Sequence, residues 1–478
     1  MKHIIKKIKI GSDFKELLSH STNYISAEFF SKGLALLTIP IFTRLMAPDE
    51  YGVMSIFASF VGLFTVIYGL GIRGAIGRYY YEDEDDFFGF FSSNFWLIVC
   101  CGVLFSMVFL FLRNHIQRFF NIPIGMIYLG LATVLFGVIF QLYQGYLQAS
   151  KQSKKISILT VVQSVVGTVG AIVIMLYLKE ERYYGKAIAQ LVASGLMVIV
   201  SFYYLKKYIY FDINVKHIKY SLTFGIPIVF HLLSQNLLNT FDQIIINQTI
   251  GQEATGLYSL AYRIGMIQIL ISMGILKAWT PMFYEKMKLG QYNQIESLAK
   301  KYGIIVAFIA CSLILFSKDI IFVFADKSYF EALPVIPIVV VGYYFFFLYT
   351  IYVNYTFYQK KTSLIAIFTL VAGCINVGLN YWLIPIYGYI VAAWTTLFSY
   401  FILFLLHYVN VKWIIKSNTP VNFKVFIKPL ILVGTCYIAN YYLAHIEFNY
   451  LIILFVRILL IMIFTALFFF KKLFKGIK

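Results

Sequence analysis

The chain has 478 residues, 60% hydrophobic and 13% charged, with 40 Lys and Arg against 21 Asp and Glu. Soluble domains average under half apolar and about a quarter charged, so these figures and a mean hydropathy of +0.79 exclude a soluble globular protein. A β-barrel is excluded as well, because its strands alternate over about ten residues, whereas the apolar runs here are unbroken and of helical length.

In chain order, Met1 to Leu18 sets lysines among Ile and Leu with no long apolar segment and cleavage site behind it. That predicts a cytoplasmic interfacial segment, residues 1–20, rather than a removable signal peptide. About 30 Å of hydrocarbon needs roughly 20 apolar residues per helix, and fourteen such runs follow. The first seven lie near Asn23 to Met46, Tyr51 to Ile76, Phe87 to Leu112, Ile124 to Leu147, Ile156 to Leu178, Ala187 to Leu205 and Ile218 to Ile246. The second seven lie near Thr255 to Lys277, Tyr302 to Phe324, Leu333 to Tyr358, Leu364 to Ile384, Ile390 to Val411, Val425 to Leu443 and Leu451 to Phe470. The predicted class is an all-α integral membrane protein of about fourteen transmembrane helices.

The net charge of +19 could point to nucleic acid, but it alternates by loop. Basic clusters fall at Lys2 to Lys15, Arg73 and Arg78, Lys151 to Lys155, Lys206 to Lys219, Lys286 to Lys301, Lys360 and Lys361, Lys412 to Lys428 and Lys471 to Lys478. The intervening loops are poor in Lys and Arg. The positive-inside rule therefore puts both termini in the cytoplasm, which demands an even number of spans. No nucleic-acid partner is implied. All five cysteines fall inside predicted spans, so neither a disulfide nor a metal framework is expected.

Internal similarity divides the chain. Gly52 with its neighbours corresponds to Gly256, Lys154-Lys155 to Lys360-Lys361, and Tyr184-Gly185 to Tyr387-Gly388, in the same order and at nearly the same separation. The expected organisation is a six-helix bundle in 21–210, a second in 211–415 and two further helices with a basic tail in 416–478. An even number of helices per unit makes the two repeats parallel.

The segment Thr38 to Gly52, with Leu383 to Gly388 and Ala392-Ala393, resembles the polysaccharide transporters. These are the bacterial O-antigen and capsule-repeat flippases of the multidrug, oligosaccharidyl-lipid and polysaccharide exporter superfamily. The resemblance covers nearly the whole chain. It implies two bundles around a central cavity open alternately to each side, and a place in the bacterial inner membrane. It also implies translocation of a polyprenyl-diphosphate-linked oligosaccharide, with membrane lipids and other polysaccharide-assembly proteins as expected partners.

Charge near the bilayer midplane costs several kcal/mol unless it meets a partner or water, so each such residue is a candidate. Arg263 falls deepest, about nine residues into its helix, where it either contacts a carrier phosphate or pairs with Asp242. Lys32 stands one turn from Glu28 on the first helix, and the two either serve a site or neutralise each other. Arg73 and Lys277 are repeat-equivalent and flank the inner mouth of the implied cavity, where they either attract an anionic headgroup or snorkel. Snorkelling or lipid contact is expected of Arg44 and Arg457. Glu82 to Asp86 is read as a solvated acidic run, the seven histidines have no metal-ligand spacing, and Pro40, Pro227 and Pro385 as helix bends.

There is no nucleophile triad, Walker sequence or phosphate-cradling loop, so the chain is expected to be no enzyme and to use no cofactor or metal. Six cations against Glu28 and Asp242 in the membrane-rim set favour an anionic substrate over the alternative, a cation-coupled multidrug exporter of the same superfamily.

Overall fold

The computed structural model describes residues 22–23, 25–82, 86–211, 213–415, 421–446 and 449–469. The expected interfacial segment, the middle of the acidic run and the basic tail lie outside the described residues. The chain divides by compactness between Asn236 and Leu237.

The first unit holds α1 (Ile25–Leu45), α2 (Pro48–Gly69), α3 (Ile72–Glu82), α4 (Phe87–Phe111), α5 (Arg113–Phe120), α6 (Ile124–Ala149), α7 (Ser153–Tyr177) and α8 (Tyr183–Leu205). The next helix, α9 (Val215–Thr249), begins in this unit and ends in the second. The second unit continues with α10 (Gln252–Lys288), α11 (Tyr292–Leu315), α12 (Ser317–Phe324), α13 (Val335–Tyr358), α14 (Thr362–Tyr387) and α15 (Ile390–Val409). After a π-helical turn at Asn410–Ile414 come α16 (Lys424–His445) and α17 (Tyr450–Phe469).

Among the described residues twelve helices are long and apolar enough to cross a membrane, with α2 and α3 together forming one of them, and the bent α9 brings the number to thirteen. The fourteenth expected span corresponds to the shorter apolar helix Tyr450–Ala466. The protein is a multi-pass membrane protein.

Three spans differ from their predicted bounds; the ninth, expected from Tyr302 to Phe324, starts earlier at Tyr292 and is two helices, α11 and α12, broken at Phe316. The run expected from Tyr51 to Ile76 is two helices, because Leu70 (φ 47°) and Gly71 (φ 67°) take left-handed conformations that end α2 before α3 begins. Hydropathy continues across the break and hides it. The eighth span runs on past Lys277 to Lys288, giving α10 37 residues, about 55 Å and well beyond a bilayer's need. Its last two turns carry Glu285, Lys286 and Lys288 and suit water better than lipid.

Start signals account for several helix ends. Pro48 opens α2 where its missing amide costs nothing, and Asp49 and Glu50 complement the positive end of the helix. The Glu50 carboxylate also accepts the backbone N–H of Arg182, and the Arg182 guanidinium donates to the Leu45 carbonyl. The α1–α2 corner is thereby tied to the start of α8. In the first unit α6 packs on α2, α3 and α8, and α7 on α8. In the second unit α13 is central, packed on α10, α11 and α15 and largely buried, which is why its apolar residues run all round rather than in a stripe. Large apolar side chains left exposed, such as Leu104, Met107, Phe111 and Ile199, are what lipid solvates.

Candidate functional site

The break between α2 and α3 opens a cavity of about 650 Å³ within the first unit, bounded also by α6 and the first part of α9. Five of its lining residues are glycines, Gly69, Gly71, Gly74, Gly77 and Gly145. One of these, Gly71, with Gly225 of α9, shows why no other residue would serve. A Cβ on Gly71 would overlap the Gly225 carbonyl oxygen, and one on Gly225 would overlap that of Leu70, so the break packs backbone to backbone on α9. Gly71 is also held at positive φ, where a side chain is strained. Gly77, by contrast, faces open space, and its missing side chain leaves the cavity its room.

Polar groups are few and converge. Arg73 lies in the first turn of α3, and its Nη2 donates to Gln148 Oε1 at 3.2 Å across the cavity. Gln141 also lines the space, and Tyr81 Oη donates to the Ala149 carbonyl at 2.6 Å, pinning the far end of α3 to α6. Among the described residues lining the cavity, Arg73 is the charged one. A helix starts at its rim, so the positive dipole end of α3 lies beside the guanidinium. Such a combination binds phosphate-like anions, and broken transmembrane helices place such ends where they line a cavity.

The other predicted residues lie elsewhere. Lys32 Nζ and Glu28 Oε1 form an ion pair at 2.7 Å on α1, each nearly half exposed. Arg263 is half-buried on α10, and Lys277 is exposed on the same helix. The expected Asp242–Arg263 pair is not what the carboxylate makes among the described residues. Asp242, 1% exposed, accepts from Tyr258 Oη and Thr396 Oγ1 at 2.7 Å each on one oxygen and from Asn380 Nδ2 at 3.0 Å on the other. Asn380 is itself held by Asn376 Oδ1 and by the Thr395 hydroxyl. Three neutral donors thus satisfy the carboxylate, and the knot joins α9, α10, α14 and α15.

Arg457 departs from its expected snorkelling: it is 1% exposed, and its Nη1 donates to Asp319 Oδ2 at 2.6 Å. Of the acidic run, Glu82 accepts from Tyr220 Oη at 2.5 Å and pairs with Arg78, and Asp86 lies 2.7 Å from His217 Nε2. Gln141, Gln148 and the glycines were missed by a search confined to charge. The recurrence of glycine at 71, 74 and 77, every three residues along one helical face, is the signal that could have found them.

These features define a helical membrane protein with a polar, glycine-lined cavity inside a bundle of spans. Across 95% of this chain and all of the other, the fold superposes on a lipid II flippase, MurJ, in an inward closed conformation, with TM-score 0.75 and 16% identity. A multidrug resistance MATE family transporter of the MOP superfamily, inward-facing, matches over 81% of this chain and 96% of its own at TM-score 0.67 and 17% identity. The likeness to these two transporters is one of fold. Residues 17–287 match the family model described as polysaccharide biosynthesis protein, and residues 227–382 match the MatE model. The chain belongs to the polysaccharide biosynthesis protein family. Lsg locus putative protein 1 of Haemophilus influenzae is 22% identical over 375 residues, covering 73% of this chain and 87% of that protein.

Proposed function

We propose that the protein is a flippase that carries a polyprenyl-diphosphate-linked oligosaccharide, an O-antigen or capsule-type repeat unit, from the cytoplasmic to the outer leaflet by alternating access. The observation that carries this reading is the cavity at the α2–α3 break, where Arg73, at the start of α3, lines the space with Gln141 and Gln148. A diphosphate suits that chemistry, since a guanidinium offers paired donors to phosphate oxygens. A lipophilic cation does not, which weighs against the drug-export alternative. Membership of the polysaccharide biosynthesis family supports the same substrate class.

The reading places the protein in the bacterial inner membrane with both termini in the cytoplasm, so that the basic ends flank the leaflet where the substrate is made. Residues 21–210 and 211–415 act as the two repeated bundles, with 416–478 appended. Arg73 is the principal headgroup contact, and Arg263, Lys277 and Lys32 are further contacts, with Glu28 offsetting the charge of Lys32. Transport rather than catalysis is the activity, and the gradient that drives it is left open. The test is expression in bacteria lacking their own repeat-unit flippase. Restored surface polymer without raised resistance to lipophilic cationic drugs is expected; gradient-dependent efflux of a cationic dye with no polymer would overturn the reading in favour of export.

A further inference from the structure

A second cavity, of about 370 Å³, lies in the second unit where α11 ends, α12, α13, α15 and α17 begin and α16 ends. It opens at the end of these helices opposite their lysine-rich ends, at Lys300 and Lys301, Lys360 and Lys361, Lys412, and Lys424 and Lys428. Leu333, Pro334, Ile338 and Ile390 give it an apolar side. One wall is aromatic: Trp394 and Tyr437 meet edge to face with centroids 5.9 Å apart, and Tyr441 continues the wall. Arg457 and Lys318 are the two cations that line it.

Arg457 is the unusual member. It sits on the apolar α17, where an arginine is expensive unless it has a role. Asp319 takes up its Nη1 and accepts the Tyr450 hydroxyl at 2.6 Å on its other oxygen. Among the described residues the Arg457 Nε–H has no acceptor. The fork formed by Nε and Nη2, which phosphate oxygens recognise in pairs, is therefore not used by Asp319. Charge balance points the same way, because Arg457 and Asp319 cancel and Lys318 leaves one positive charge to be met by one negative. Trp394 and Tyr441, both substantially exposed, mark the interfacial layer at which lipid phosphates lie.

We propose that this cavity holds the phosphodiester headgroup of a membrane phospholipid, its phosphate between Arg457 and Lys318 and its glycerol end against the Trp394–Tyr437 wall. The site is separate from the α2–α3 cavity and does not depend on what that cavity carries. If Arg457 merely anchored α17 to α12, no lipid would be needed.

The experiment is native mass spectrometry of the full chain in detergent, titrated with dioleoylphosphatidylglycerol, dioleoylglycerol and inorganic phosphate. One phosphatidylglycerol per protein is expected, with dioleoylglycerol unable to displace it. Ala444→Trp, at an exposed lining position, should weaken binding roughly tenfold or more by filling the mouth while leaving the lipid-free melting temperature unchanged. Arg457→Gln combined with Asp319→Asn, which removes both charges together, should weaken it about tenfold, the loss of one charge-assisted contact. Equal retention of dioleoylglycerol, or undiminished binding in Ala444→Trp, would overturn the proposal. Displacement of the lipid by inorganic phosphate at equal affinity would also overturn it, by making this a free-anion site.

Discussion

The α2–α3 cavity and the Asp242 knot handle charge in opposite ways. In the first unit Arg73 donates to a neutral glutamine at 3.2 Å at the edge of open space. In the second, Asp242 is buried to 1% exposure and surrounded by Tyr258, Thr396 and Asn380, which between them engage both oxygens. Burial of a charged group therefore does not by itself mark a binding site in this protein. Around Arg73 the backbone has been stripped of side chains, whereas neutral donors close over Asp242. Glycine separates the two cases: it lines the cavity repeatedly and takes no part in the knot's hydrogen bonds.

The contrast can be broken most forcefully at the glycines. Gly71→Ala or Gly225→Ala should cost about 3 kcal/mol or more, because each sets a Cβ against a backbone carbonyl and the first also sits at positive φ. The yield of monodisperse protein from membranes would show it. Gly77→Ala, with nothing within 4 Å of the new methyl, should fold at least as well as the wild type while narrowing the cavity. If Gly77→Ala and Gly71→Ala lose protein alike, the break is not the constraint.

Next in size is the knot. Asp242→Ala leaves three donors without their acceptor and should lower stability by about 3 kcal/mol, read as a fall in melting temperature in detergent. Because neutral groups satisfy Asp242, adding this change to Arg263→Ala should not rescue any transport lost by the single substitution. Rescue would mean that the two charges balance each other after all. The smallest effect is expected on α1, where Lys32→Gln breaks an exposed i, i+4 pair and should shift stability by about 0.5 kcal/mol at most. A loss several times larger would show that Lys32 has a partner beyond Glu28.

Much of this architecture was legible in the sequence, because the need to bury backbone polar groups in hydrocarbon leaves long apolar helices little alternative. Arg73 could be found by its charge. Its setting could not, since Val66 to Ile76 reads as one apolar run and nothing in hydropathy announces the left-handed turn at Leu70 and Gly71. The partners of Asp242 were hidden for a different reason: Asn380 and Thr396 are neutral and stand 138 and 154 residues away, so a search for opposite charge passed over them. Asp319 falls within the run expected from Tyr302 to Phe324, but it stands 138 residues from Arg457 and nothing in the sequence pairs the two.

The central claim is that Arg73, at the start of α3, binds the anionic headgroup of the transported lipid. It is tested most directly in vesicles reconstituted with the full chain, by the rate at which a polyprenyl-diphosphate-linked oligosaccharide reaches the opposite leaflet and becomes accessible to an added lectin. Arg73→Ala should slow that rate by tenfold or more, on the order of one lost charge-assisted pair, and Arg73→Lys should recover part of it, with equal amounts of inserted protein. A wild-type rate in Arg73→Ala would contradict the account.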